Sequence, residues 1–99
     1  MRKHFVVLML VLLLMAALLP MAQAQEATPD PALTAADYLV RGDEAMARRN
    51  YRGAVTEYSF AIQLEPESVD GYLKRAQAYI AQNTLDLALA DYQQAAEIA

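Results

Sequence analysis

Cysteine is absent from the 99-residue chain, and histidine occurs once, as His4. A chain without cysteine forms no disulfide, offers no thiolate to zinc and has no cysteine for lipid attachment. His4 lies in a segment predicted to be removed, so the remaining chain cannot build a catalytic Ser-His-Asp arrangement. The three glycines, Gly42, Gly53 and Gly71, are scattered and form no phosphate-binding loop. These absences argue against an enzyme, predict neither metal nor cofactor, and leave packing as the source of stability.

Basic residues are also scarce, which narrows the classes of partner. The chain carries 8 Lys and Arg against 12 Asp and Glu. Without residues 1–24, which hold two of the basic residues, six remain against twelve acidic ones, a net charge of −6. Such a surface repels phosphate backbones and anionic lipid. The sequence therefore predicts no nucleic-acid partner and a protein or peptide partner instead.

The N-terminal segment has the order of a secretory signal peptide. Basic residues 2–4 precede an unbroken apolar run over residues 5–19, and a small-x-small site follows at Ala22 and Ala24. The run has 15 residues, fewer than the roughly 20 that cross a bilayer as a helix. Residues 1–24 are therefore predicted to be a signal peptide, which places the mature chain outside the cell or in the periplasm or cell envelope.

An uncleaved N-terminal anchor is the alternative, because Met21 and Ala22 could lengthen the apolar span beyond Pro20. In that case the chain would be attached to the membrane through its N-terminal segment alone.

A proline-containing segment separates the apolar run from the first helix signals. Residues 25–33 include Pro29 and Pro31 and show no apolar period, so they predict a flexible tether. Thr34 then offers an N-cap, and Asp37 three residues later can complete a capping box.

The chain repeats itself after Thr34. A shift of 34 residues aligns seven identical pairs without a gap. The pairs are Tyr38/Tyr72, Leu39/Leu73, Arg41/Arg75, Ala47/Ala81, Ala54/Ala88, Tyr58/Tyr92 and Ala61/Ala95. The repeats are predicted to cover residues 35–68 and 69–99, the second being incomplete.

Each unit is predicted to contain two helices. Apolar residues recur at i, i+3, i+4, i+7, i+10 and i+11 from Tyr51 and again from Leu85, which forms one stripe on a helix. Asn50 and Thr84 precede these stripes as expected N-caps, and Ser68 is expected to cap the helix between them.

This pattern resembles the tetratricopeptide repeat. The first unit has Tyr38, Gly42, Ala54, Tyr58, Ala61 and Pro66 at the matching positions, and the second has Tyr72, Ala76, Tyr79, Ala88, Tyr92 and Ala95. The resemblance implies an all-α fold of antiparallel helix pairs, stacked as a short α-solenoid of about two repeats. It also implies a scaffold that binds other proteins.

The sequence departs from the family pattern in both units. Ala45 replaces the expected tyrosine in the first, which predicts a shallower core there. The second reaches only its thirty-first position at Ala99 and lacks the closing proline. Because repeat arrays bury their faces against neighbours, we expect either a fragment of a longer array or an end that another molecule covers, including a second copy.

By resemblance, the first helix of each unit lines an inner groove that takes a peptide or a partner helix. The expected groove residues are Leu39, Val40, Asp43, Met46, Leu73, Lys74, Gln77 and Ile80. The alternative is that the apolar members simply pack between helices. Family members that clamp a terminal carboxylate need a cation and an amide where Leu39 and Asp43 stand, so that activity is not expected. Two functions remain: an exported protein-interaction module, or a structural, self-associating segment.

Overall fold

The computed structural model describes residues 27–99 together with His4, Val6 and Val7. Four helices make up the regular structure of residues 27–99: α1 Ala35–Ala47, α2 Tyr51–Leu64, α3 Val69–Ala81 and α4 Leu85–Ile98. The predicted signal peptide and its cleavage site otherwise lie outside the described residues. None of the helices in the described part is long and apolar enough to span a membrane.

Short hydroxyl side chains begin α1 and α3, as predicted. The Thr34 hydroxyl accepts a hydrogen bond from the Asp37 backbone N–H at 3.2 Å, and the Asp37 carboxylate accepts one from the Thr34 N–H at 2.9 Å. Ser68 Oγ accepts from the Gly71 N–H at 3.2 Å. Both capping residues have extended backbones, with ψ of 167° and 104°. These bonds satisfy backbone donors that the first helical turn leaves unpaired.

The caps of α2 and α4 differ, and the prediction that Thr84 caps through its side chain is wrong. Asn50 Oδ1 accepts from the Gly53 N–H at 3.1 Å, whereas Thr84 makes no such bond. The two residues share a backbone, with ψ of 73° and 72°. From this backbone the longer Asn side chain reaches the helix, but the short Thr hydroxyl does not.

The two turns within the repeats share one geometry. Arg49 and Asn83, which are 34 residues apart, both adopt the left-handed backbone, with φ of 59° and 60°. The next residue then returns a hydrogen bond to the end of the helix, from the Asn50 N–H to the Ala45 carbonyl at 2.8 Å in the first repeat. The second repeat has the same bond at 2.9 Å. This arrangement ends a helix and satisfies its last carbonyls.

The helices of the first repeat pack as an antiparallel pair. Positions that advance along α1 meet positions that recede along α2: Tyr38 with Ala61, Gly42 with Tyr58, and Ala45 with Ala54. Each of these pairs contains at least one small residue, so the helix backbones approach closely. Ala54, Tyr58 and Ala61 are no more than 2% exposed. The all-α fold of paired helices is therefore confirmed.

The second repeat continues the stack, because α3 packs against both α2 and α4. Arg75 on α3 makes hydrogen bonds to Ser59 on α2 and to Asp91 on α4. Gly71 lies beside Ile62, again in antiparallel register. Each helix thus packs against its neighbours in chain order.

The outer side of α4 is uncovered in the described structure. Leu85 is 59% exposed, Leu89 57% and Tyr92 37%, although Tyr58, the counterpart of Tyr92, is 2% exposed. The shared repeat position therefore does not give Tyr92 the burial of Tyr58. The reason is that α3 covers the α2 stripe, whereas no described helix covers the stripe on α4.

Before α1, the chain lies against the first repeat. Leu33 packs beside the core cluster that contains Tyr38, and the Asp30 N–H donates to the Tyr38 hydroxyl at 2.5 Å. A turn links the two, with the Leu33 N–H donating to the Asp30 carbonyl at 3.1 Å. The part of the predicted tether from Asp30 onward is therefore hydrogen-bonded to the repeat.

Candidate functional site

The eight predicted groove residues divide into an exposed set and a packed set. Val40 is 57% exposed, Leu73 36% and Ile80 47%. Leu39 and Met46 instead lie half-buried against the core cluster of the first repeat, as the packing alternative predicted for them. The polar members are Asp43 and Gln77, both exposed, and Lys74, which is half-buried.

Asp43 joins the two repeats on this side of the molecule. Its carboxylate accepts a hydrogen bond from the Tyr58 hydroxyl at 2.6 Å and two from Lys74 Nζ at 2.9 and 3.1 Å. Partial burial acts to raise the pKa of the Asp43 carboxyl, but these bonds outweigh it and lower that pKa below its ordinary value. The positive charge of Lys74 is therefore compensated by a carboxylate within the protein.

The same cluster does not resemble a catalytic centre. Burial, and then the bond to Asp43, raises the pKa of the Tyr58 hydroxyl, so this group stays protonated near neutral pH. The pKa of Asp43 moves in the opposite direction, so its carboxyl stays ionised. A general acid or base needs a pKa near the working pH, and both shifts lead away from it. The arrangement fits a structural link.

Arg75 forms the most enclosed ion pair among the described residues. Its guanidinium donates to both carboxylate oxygens of Asp91, at 2.8 and 2.7 Å, and to Ser59 Oγ at 3.1 Å. The bond to Asp91 raises the pKa of Arg75. Tyr72 and Tyr79 flank the guanidinium, with ring centroids 5.7 and 5.8 Å from its central carbon, which is the range of a cation–π contact.

This pair was not predicted from the sequence, although the sequence contains a signal for it. A shift of 34 residues aligns Arg41 with Arg75 and Glu57 with Asp91. The first repeat has the corresponding pair, with Arg41 Nε 3.9 Å from Glu57 Oε2. Opposite charges that recur in register across two helices indicate an ion pair between those helices.

A depression of about 210 Å³ opens beside Arg41 on the first repeat. Its lining is mostly polar: Arg41, Glu44, Ala45, Arg48, Asn50, Gly53 and Glu57. Glu57 Oε2 is buried there, and no hydrogen-bond donor among the described residues reaches it. The described residues contain no group of three acidic or histidine side chains that could bind a metal ion.

Comparison with known proteins gave one family match, over part of the chain. A search of curated proteins and a search of solved structures found no match. Residues 42–83 match the family model described as TPR repeat. The matched segment runs from Gly42 in α1 through α2 and α3 to Asn83 in the last turn, so it contains the contacts that join the two repeats. With the 34-residue period and the paired helices, this match supports a tetratricopeptide-repeat architecture for residues 42–83.

Proposed function

We propose that the chain is an exported, non-catalytic protein-interaction module whose first helices, α1 and α3, bind a peptide or a partner helix. Three apolar side chains on these helices, Val40, Leu73 and Ile80, remain at least 36% exposed, and this observation carries the proposal. Apolar side chains held on a folded surface provide contact area to a partner.

The charges on this face narrow the chemistry of the partner. Lys74 is paired with Asp43, and that carboxylate is itself half-exposed, with 49% of its side chain accessible. A partner that contacts the apolar side chains therefore finds the charges of Lys74 and Asp43 already paired with each other. We expect a segment with spaced apolar residues rather than one that depends on strong charge. A free terminal carboxylate would find Lys74 already occupied.

A displayed-peptide selection against the full-length chain tests this proposal. Selected peptides should lose at least tenfold in affinity for the double variant Leu73→Ser/Ile80→Ser. The matched control is Leu85→Ser/Leu89→Ser, which also removes two exposed leucine-sized side chains but lies on α4. Equal binding to the parent and to the groove variant would contradict the proposal, provided that circular dichroism shows unchanged helix content.

Export is part of the proposal and has its own test. The basic, apolar and small-x-small order of residues 1–24 supports cleavage after Ala24. Mass spectrometry of the exported protein should find Gln25, or its cyclised form, at the N-terminus. A product in the membrane that retains residues 1–24 would instead support the anchored alternative.

A second candidate function is self-association through α4, which its exposed stripe favours. Leu85, Leu89 and Tyr92 repeat the spacing by which α2 packs against α3. Burying such a stripe would stabilise the chain by mass action. Sedimentation and melting at several concentrations should then show dimers and a rising Tm, and Leu85→Ser/Leu89→Ser should remove both effects. A monomer with a concentration-independent Tm would exclude this function.

A further inference from the structure

The depression beside Arg41 lies at the first repeat's counterpart of Tyr79. The 34-residue register pairs Ala45 with Tyr79, so the lining of the depression includes a methyl-bearing alanine where the second repeat has a phenol ring. Arg41 corresponds to Arg75, whose guanidinium lies 5.8 Å from the centroid of the Tyr79 ring. The first repeat thus keeps the arginine of this contact without its ring.

Loss of the ring leaves the first ion pair more open than the second. The Arg41 side chain is 52% exposed, whereas that of Arg75 is 20% exposed. The nearest ion-pair distance is 3.9 Å in the first repeat and 2.7 Å in the second. The longer Glu57 replaces Asp91, which contributes to the difference in distance. Arg41 is the more exposed arginine because the first repeat has no ring at the position of Tyr79 to cover it.

The depression is large enough for a ring and has the chemistry to hold one. Its volume is about 210 Å³, and an engineered protein cavity of about 150 Å³ binds benzene. Arg41 offers a planar cation for the face of the ring. Glu57 also lines the depression, and no described donor reaches its buried Oε2, so a small rotation of this side chain toward the ring would let it accept from a hydroxyl group. A phenol supplies both the π face and the donor.

We propose that this depression is a binding site for a phenol ring that comes from outside the repeat pair, supplied by a tyrosine side chain of a partner polypeptide or by a small phenol. The ring packs over Arg41 and Ala45, and its hydroxyl donates to Glu57. The site shares no residue with the eight-residue groove, so either proposal can fail without the other.

Nuclear magnetic resonance of the full-length, ¹⁵N-labelled chain tests the site, with p-cresol as the probe. Amide shifts should move saturably at Arg41, Gly53 and Glu57. The control probe is 4-methylcyclohexanol, which has the same size and hydroxyl group but no π face and should bind at least tenfold more weakly. Equal shifts with both probes, or no localised shifts with p-cresol, would overturn the proposal.

Two alanine substitutions on α1 provide the matched pair of variants. Ala45→Tyr places a ring in the depression and should abolish p-cresol binding, while Ala47→Tyr, on the exposed end of the same helix, should leave it unchanged. Ala45→Tyr should also raise the Tm, because it restores the contact seen at Tyr79. If Ala45→Tyr does not fold, the smaller plug Ala45→Leu serves, with at least a tenfold loss of affinity expected. Retained binding in a folded, plugged variant would overturn the site.

Arg41→Lys tests the role of the planar cation, because it keeps the charge and removes the guanidinium. We expect a several-fold loss of p-cresol affinity, and an unchanged affinity would contradict the stacking contact. A short peptide with one central tyrosine distinguishes the sources of the ring. Binding at least tenfold tighter than that of p-cresol assigns the site to a polypeptide, and equal binding assigns it to a small phenol.

Discussion

The two repeats share one 34-residue pattern but are stabilised differently. In the first repeat, Gly42 lies beneath a fully covered Tyr58, whereas the second has Ala76 and a Tyr92 that is 37% exposed. Helix α2 of the first repeat packs between α1 and α3, while α4 has a described neighbour on one side only. Identical residues in equivalent positions thus differ in burial because their helices have different numbers of described neighbours.

The ion pairs show the opposite difference: the second repeat has the more enclosed one. The second repeat has the tight pair between Arg75 and Asp91, enclosed by two tyrosine rings, whereas the pair of Arg41 and Glu57 in the first is long and open. The first repeat therefore depends more on aromatic packing, and the second depends more on a buried ion pair. Each of the following predictions compares equivalent positions.

Removing the equivalent tyrosines should give the largest difference. Tyr58→Ala deletes a ring that is 2% exposed, so it should lower the free energy of unfolding by about 3–5 kcal/mol. Tyr92→Ala should cost about 1 kcal/mol, because its ring is already partly in solvent. Urea denaturation of the full-length variants measures both. Equal losses would mean that α4 is covered in solution.

Neutralising the equivalent carboxylates should give the next largest difference, with the larger loss of stability in the second repeat. Asp91→Asn leaves Arg75 without its bidentate partner. We expect a loss of about 2–3 kcal/mol, less than for a fully buried pair because 20% of the Arg75 side chain is exposed. Glu57→Gln should cost less than about 1 kcal/mol, since that pair is long and partly solvated. Urea denaturation again provides the measurement, and a larger loss for Glu57→Gln would refute the ordering.

Substitutions at Gly42 and Ala76 test the close approach of the helices. A Cβ on Gly42 would overlap the Tyr58 ring, whose Cζ atom would lie 2.8 Å away, so Gly42→Ala should cost about 1–3 kcal/mol. Ala76→Gly should cost about 1–2 kcal/mol, through backbone entropy and the loss of a buried methyl group. Combining Gly42→Ala with Tyr58→Leu should cost less than the sum of the single changes. Additive losses would show that the ring and the Cβ do not clash.

The left-handed turn residues should give a smaller effect, and a stabilising one. Arg49→Gly should raise the free energy of unfolding by about 0.5–1 kcal/mol, because glycine adopts this backbone without a Cβ penalty. Asn83→Gly should change it by only a few tenths of a kcal/mol, since Asn tolerates the same conformation. Thermal melts of the two variants provide the comparison. A destabilised Arg49→Gly variant would indicate that the arginine side chain contributes a contact of its own.

Acid should weaken the first repeat through two carboxyl groups. Hydrogen bonds from Thr34 lower the pKa of Asp37, and the pKa of Asp43 is also lowered. A lowered folded-state pKa gives stability that is complete above the ordinary value of 3.8 and is lost as the pH falls further. The second repeat has Gly71 and Gln77 at these positions. Asp43→Asn should therefore flatten the fall in Tm below about pH 4, whereas Gln77→Glu should not.

Most of the fold was predictable because the repeat register fixes both helix pairs. Asn50 and Ser68 cap as their residue types predict, whereas Thr84 does not, because side-chain length and backbone conformation together decide whether a cap forms. The left-handed turn was predictable at Asn83, a residue that favours it, but not at Arg49. There the helix packing imposes a conformation against the local preference of the residue.

The candidate site was less predictable, since residue type alone does not separate packing from exposure. Leu39 and Met46 have the same apolar character as Val40 and Ile80, yet only the latter two face solvent. The resemblance assigned all four to the inner groove, three of them on α1 and Ile80 on α3. Which part of that groove contacts a neighbour depends on the angle between the helices, and no local pattern encodes that angle.

Two polar contacts between the repeats have a mechanical consequence. Lys74 reaches back to Asp43 on α1, and Arg75 reaches back to Ser59 on α2. Because Asp43 and Ser59 are on different helices of the first repeat, the two contacts together resist bending and twisting of one helix pair against the other. The pair of Lys74 and Asp43 is solvent-accessible and therefore weakened by salt, so it is the weaker of the two contacts. Ionic strength should then adjust the curvature of the molecule while leaving its helices intact.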